Sequence, residues 1–408
     1  MIDQRSSHPL FSELKEWVRK EIPKINNSID QQELPPEALV SAFRPWIIRI
    51  LQEVDPIMLS KDDARLAIQV IGFGVGSVER HFQTAREPAG TGLAQFGRLG
   101  DFLLATAIVA EHPPRDSHYT YWLWNNDTIP LTFTGDPQEI FFNRAVNHTH
   151  ELHTISCNQL RPISEGQISV MAPDAMKIIT TVTHNTTVLH EHFRSFMLKD
   201  KASGSRSMEP HFFMTQMRTY LPTYPINGVD WSGVNAANLA AQMQIDFLIG
   251  TTVEDYEKTV RARFKFLTRD DRTSLESDMA LPSLLDLFLR QIGLTRTDLN
   301  GLESTTLTSL ITTQPMAFQR NLACYMDLVH ACSRLTSIHW ALIQNYLVKA
   351  SAQLTFKERD RLAVAPDRGT GGKTHAQTEA IMWMRSRHPI IAKLMDAMTA
   401  YKRLPLAG

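Results

Sequence analysis

The chain has 408 residues, with 42 Lys and Arg set against 43 Asp and Glu, and a formal net charge of −1 when histidine is neutral. Such a balance leaves no electrostatic footprint for nucleic acid, while 43% hydrophobic and 21% charged residues is the composition of an ordinary globular protein with enough material for a core. Three well-separated cysteines, Cys157, Cys324 and Cys332, predict reduced thiols rather than a disulfide framework.

Helical periodicity dominates from the start. Apolar residues recurring at three- and four-residue intervals predict helices over 11–29, 36–53, 61–83, 92–111, 137–156, 171–198 and 208–221, then over 235–249, 252–266, 282–292, 304–312, 315–352 and 374–401. Start signals accompany several of them: Ser60 before two aspartates, Asp136 followed by Pro137, and Pro173 with Asp174. Only Tyr119–Trp124 and Pro130–Thr134 alternate as short strands do, so the expected class is all-α. Polar, Pro-rich or Gly-rich breaks fall at 112–118, 125–136, 199–207 and 361–373. The break at 125–136 suggests a smaller N-terminal helical domain over 1–130 and a larger helical domain over 131–408, with 361–373 as a lid. The N-terminus has no apolar signal-peptide region, and no apolar run reaches the length of a membrane span. A cytoplasmic protein with no membrane partner is expected.

Several strings suggest chemistry that the spacing does not support. In Asn147-His148-Thr149-His150-Glu151-Leu152-His153 the first two imidazoles lie about 200° apart on a helix and cannot easily share one metal. His190 and His192 are likewise two residues apart on an expected helix. Gly72-Phe73-Gly74-Val75-Gly76 has no strand before it, and Gly369-Thr370-Gly371-Gly372-Lys373 lacks the spacing of a phosphate loop. His339 is different. Leu328, Cys332, Leu335, His339, Leu342 and Tyr346 share one helix face, and an imidazole there is either a hydrogen-bonded core residue or an axial ligand for something buried.

Four segments in order, with a fifth ahead of them, then resemble the indoleamine 2,3-dioxygenases. Ser337-Ile338-His339 is similar to the Ser-x-His of that family's proximal haem ligand, and Gly369–Gly372 to its Gly-Thr-Gly-Gly substrate loop. Phe213-Met214 through Arg218-Thr219-Tyr220-Leu221 resembles the region whose arginine binds the substrate carboxylate. Ser232 through Asn235-Ala236-Ala237 and on to Asp246 and Gly250 resembles the stretch along the haem edge, and Phe133-Thr134-Gly135-Asp136 through Phe141-Phe142 the start of the distal helix. The likeness covers roughly residues 115–400 at low identity, and the divergent monodechloroaminopyrrolnitrin synthase branch belongs to the same superfamily.

The resemblance implies haem b held by His339, with Asp246 polarising that ligand and Asn235, Ala236 and Phe213 along the cofactor. Arg218, Phe141 and Thr370 become the catalytic candidates, and Arg218, Phe141, Met214, Gly369, Thr370 and Gly371 the substrate contacts. The implied partners are dioxygen and an indole or tryptophan-type molecule, whose pyrrole ring would be opened by dioxygen insertion. The alternatives are ring rearrangement or monooxygenation of a modified tryptophan, and non-catalytic haem binding. Three departures keep these open. Thr336 stands where the family has a propionate-binding arginine, with Arg334 about 200° around the helix; Ala145 stands for a distal serine; and Asn235 replaces a loop serine. The identity of the indole, the electron donor and the oligomeric state are not written in the sequence.

Overall fold

The computed structural model describes residues 8–199, 204, 206–252, 255–360 and 388–403. The described chain is all-α, as its periodicity predicts, apart from one small hairpin. None of the described helices is long and apolar enough to cross a membrane.

Helices α1 (Pro9–Asp30), α2 (Glu37–Glu53), α3 (Lys61–Thr84), α4 (Thr91–Ala94) and α5 (Leu99–Ala110) surround a first apolar core that includes Phe11, Leu14, Phe43, Phe73 and Leu103. Ser60 caps α3 by accepting from the Asp63 amide, and Asp136 caps the next long helix by accepting from Gln138 N, with Pro137 at its first position. The same core takes in Tyr220, Tyr224, Val234 and Leu239 from much later in the chain.

That long helix, α6 (Pro137–Ser164), extends about 42 Å at 1.5 Å per residue. Val146 in its first half joins the first core, whereas Cys157, Leu160 and Ile163 join a second. The second core is built with α7 (Pro173–Ser195), α9 (Ala240–Ile249), α12 (Leu284–Gln291), α13 (Ser304–Thr312), α14 (Met316–Ile343) and the last described helix, Pro389–Arg403. α14 packs along the length of α7. None of the three cysteines forms a disulfide.

The expected strands do not form. Tyr119–Leu123 is a π-helical turn whose residues Tyr119, Thr120, Tyr121 and Trp122 are all buried, so their alternation has no solvent face to match. Residues 130–134 have no ladder partner among the described residues either. Asn125 bridges them to the turn, donating to the Tyr121 and Leu131 carbonyls and accepting from Leu131 N, and buried Glu139 accepts from Phe133 N and Thr134 N. Side chains thus satisfy the backbone groups that a sheet would have satisfied. The true hairpin, Tyr224–Ile226 with Val229–Trp231, turns through Asn227-Gly228, both at positive φ. Asn-Gly is a strong two-residue hairpin signal. A polar helix over Arg269–Ala280 (α11) also escaped the apolar pattern, having only Leu275 and Asp278 buried.

Candidate functional site

Two irregular turns meet beside α6 and α7. Residues 208–221, expected as one helix, divide into a short helix at Pro210–Phe212 (α8), a π turn at Phe213–Met217 and a 3-10 turn at Arg218–Tyr220. The helix expected over 315–352 divides similarly: α14 ends at Ile343, a π turn covers Gln344–Lys349, and α15 follows at Ala350–Gln353. π turns often mark functional positions, because the extra residue re-aims the side chains that follow. The rings of Phe213 and Tyr346 meet edge-on at 5.9 Å across the two turns.

Around them lies an apolar cluster of Ala145, Phe196, Met208, Met217 and Tyr346, with half-buried Phe141, Phe142, Phe213 and Leu342 against it. Phe141 reaches Phe196 at 4.8 Å, and Phe142 reaches Phe213 at 5.7 Å. The Tyr346 hydroxyl closes one side, 2.8 Å from the Phe196 carbonyl oxygen and 2.6 Å from that of Met208. Met214 is fully buried in the neighbouring cluster with Leu347, Ala350 and Leu354, where Phe213 also packs.

His339 lies on α14 one turn before Leu342. The face it shares with Leu328 and Tyr346 is buried at those two ends and surfaces between them, so the imidazole is exposed and its ring lies 5.7 Å from that of Phe193 on α7. Phe193 and Phe196 were not among the expected site residues; their three-residue spacing on α7, after Leu189, was the available signal. Thr336, one turn earlier, is buried and donates to the Cys332 carbonyl at 2.9 Å, so its hydroxyl is spent on the helix backbone.

Arg218 is 1% exposed, with Nη1 3.5 Å from Met214 Sδ. Its neighbour Thr219 accepts from Arg80 Nε, and the Arg80 guanidinium lies 4.6 Å over the Tyr220 ring. Asp246 is buried in α9 and accepts from the Tyr256 hydroxyl at 2.6 Å. Asn235 accepts from Ala237 N at 3.0 Å, so its amide oxygen caps the 3-10 turn at Ala236–Asn238; Ala236 is half-buried against the first core alongside Phe142. The structure therefore groups Phe141, Phe213, Met214 and Arg218 around the two π turns, with His339 on the adjoining stretch of α14. Gly369, Thr370 and Gly371, with the expected lid, lie outside the described residues.

The decoy motifs resolve into packing. Gly72, Gly74 and Gly76 are buried inside α3, where Gly72 meets the Asp116 backbone and Gly74 meets the Phe43 ring. His148 faces His192 across α6 and α7 with ring centres 5.4 Å apart, and among the described residues no group of three or more His, Cys, Asp or Glu side chains converges as a metal site would. No known family model and no curated protein sequence matches this chain, so the likeness to the indoleamine 2,3-dioxygenases rests on the motif residues located above.

Proposed function

We propose that the chain is a haem b enzyme of the indoleamine 2,3-dioxygenase type, which binds an indole or tryptophan-like substrate with dioxygen and opens the pyrrole ring oxidatively. The observation that carries this reading is the half-buried apolar cluster of Phe141, Phe213, Leu342 and their neighbours, one helical turn from His339 and next to the turn that buries Arg218. The donor set fits. His339 offers one exposed imidazole beside the Phe193 ring, and it is the residue that would hold the iron of a bound haem.

Haem bound at His339 would supply the dioxygen chemistry. The protein's share is orientation and exclusion of water. Phe141 and Phe213 provide flat apolar walls for an indole. Arg218, buried behind them, suits a bidentate grip on a substrate carboxylate, where a charge-assisted pair is roughly twice as strong as a neutral hydrogen bond. Thr336 does not fit a propionate, so the carboxylates of a bound haem would need partners elsewhere.

The test is spectroscopic. Protein reconstituted with haem should show a Soret band that is lost or strongly shifted in His339→Ala, and an unchanged spectrum sinks the assignment. Turnover of L-tryptophan to N-formylkynurenine should follow, with Arg218→Met raising KM at least tenfold, equivalent to about 1.4 kcal/mol of lost binding. Asn235 favours a second reading: its amide oxygen is engaged by Ala237 N, whereas the family pattern has a serine hydroxyl there. If haem binds but tryptophan is not cleaved, rearrangement or monooxygenation of a modified tryptophan, or haem binding without catalysis, takes precedence.

A further inference from the structure

A cavity of about 710 Å³ adjoins the Arg218 turn. It is bounded by the corner between α1 and α2, by the last turns of α3, and by the outer side of the 211–216 segment. Its floor is Arg80, 5% exposed and held on three sides: Nε donates to Thr219 Oγ1, Nη1 donates to Asp30 and bonds His81 Nδ1 at 2.9 Å, and the guanidinium plane rests over Tyr220. His81 in turn bonds Asn26 Oδ1 through Nε2 at 2.9 Å. With Asn26 supplying a carbonyl-type acceptor, His81 carries its proton on Nε2 and accepts from Arg80, which locks the arginine in place. Nη2 is the guanidinium nitrogen that this network leaves over, with no protein partner among the described residues.

The cavity also carries a complementary sign. Asp30 and Glu33 stand at the α1–α2 corner, and Glu358 is across from them, paired with His211 at 2.7 Å. Asp30 is paired directly with Arg80, so cation and carboxylate stand side by side, and the rest of the lining at that corner is apolar, formed by Ile29, Leu34 and Pro36. The Arg80 corner thus offers a donor to an anion and, beside it, acceptors for an ammonium group, with a surface for hydrocarbon next to both.

We propose that this cavity is a second small-molecule site, which takes an apolar α-amino acid with its carboxylate on Arg80 and its ammonium toward Asp30 and Glu33. Its occupant would touch Thr215 and Gln216, on the same π turn whose other residues, Met214 and Met217, are buried beside the candidate active site. Binding would order that turn and, through Thr219, the position of Arg218. The inference is independent of haem.

Calorimetric titration with L-phenylalanine, phenethylamine and 3-phenylpropanoate tests it. L-phenylalanine should bind saturably, each single-charge analogue at least tenfold more weakly, and hydrogen exchange across 211–220 should slow. Ala85 is exposed at the mouth, so Ala85→Trp should abolish binding without disturbing the buried network, and Glu33→Gln should weaken it; Arg218→Met should leave it intact. The proposal is overturned by absence of saturable binding, by equal affinity for the single-charge analogues, or by binding that survives Ala85→Trp but disappears in Arg218→Met, which would place the ligand in the other site.

Discussion

A Cβ built on Gly74 would lie 2.2 Å from Cζ of Phe43, a ring already stacked at 5.9 Å on Trp17 and met edge-on at 5.5 Å by Phe96. No flexible side-chain end is available to yield, so Gly74→Ala must displace an aromatic core. We expect a loss of about 1–3 kcal/mol, the range for overpacking, in chemical denaturation. Gly301 is the control: nothing lies within 4 Å of its added Cβ and its φ is −100°, so alanine there should change stability by less than about 0.5 kcal/mol. The two glycines look alike in a sequence. What separates them is a residue thirty-one positions earlier that happens to fill the space.

At the scale of elements, the π turn at Gln344–Lys349 fixes the candidate site through one hydroxyl. Tyr346 Oη shares its proton between the Phe196 and Met208 carbonyls and so joins the end of α7 to the segment that leads into the Arg218 turn. Removing it leaves buried acceptors unsatisfied. Tyr346→Phe should cost about 1–3 kcal/mol, with faster amide exchange at 196–198 and 208–213 while the second core is unaffected. Equal exchange in both proteins would show that the hydroxyl does not hold the turn. The sequence pattern marked this tyrosine as part of an apolar helix face, yet a helical pattern carries no sign of where the regular spacing breaks. The break at 344 and that at 213 depend on partners brought in from elsewhere, Phe196 and Met208 in one case and Arg80 against Thr219 and Tyr220 in the other.

For the whole molecule, buried imidazoles shape the response to acid: His112, His118 and His81 are the most deeply placed, and burial shifts His150, His192 and His388 the same way. His112 is pushed down to about 3 by burial, despite a bond from Nδ1 to the Pro113 carbonyl, with Arg65 adding to the depression. His118 is held well below its usual range by burial, then by His112 and His150, and His81 by burial, then by Arg80. All three are neutral in the folded state at pH values where the unfolded chain, with imidazoles near 6.5, takes up protons. Protons therefore favour unfolding below about pH 6.5, and stability falls with acidification by up to about 1.4 kcal/mol per pH unit for each histidine. The unfolding midpoint in denaturant should fall distinctly between pH 7 and 5.5, before most carboxylates titrate. His112→Gln should shrink the slope; an unchanged slope would mean that other groups govern it.

The all-α class was legible in the sequence because amphipathic periodicity is a local property: α1, α3, α7 and α13 appear close to where their apolar spacing and N-terminal signals put them. The Asn227-Gly228 hairpin was equally legible and was passed over between two helical patterns. The false strands at 119–124 and 130–134 had a different cause. Alternation marks a strand only where one face meets water, and the long-range bonds of Asn125 and Glu139 decided otherwise. In the candidate site, motif order identified Phe141, Phe213 and Arg218 as a group, since each motif is a short run of chain. That Phe193 lies against His339 and Phe196 against Phe141, that Thr336 is turned into the helix packing, and that Arg80 anchors a cavity beside the Arg218 turn were decided only by tertiary structure, because each depends on which distant helix packs against the motif, and no local spacing encodes that.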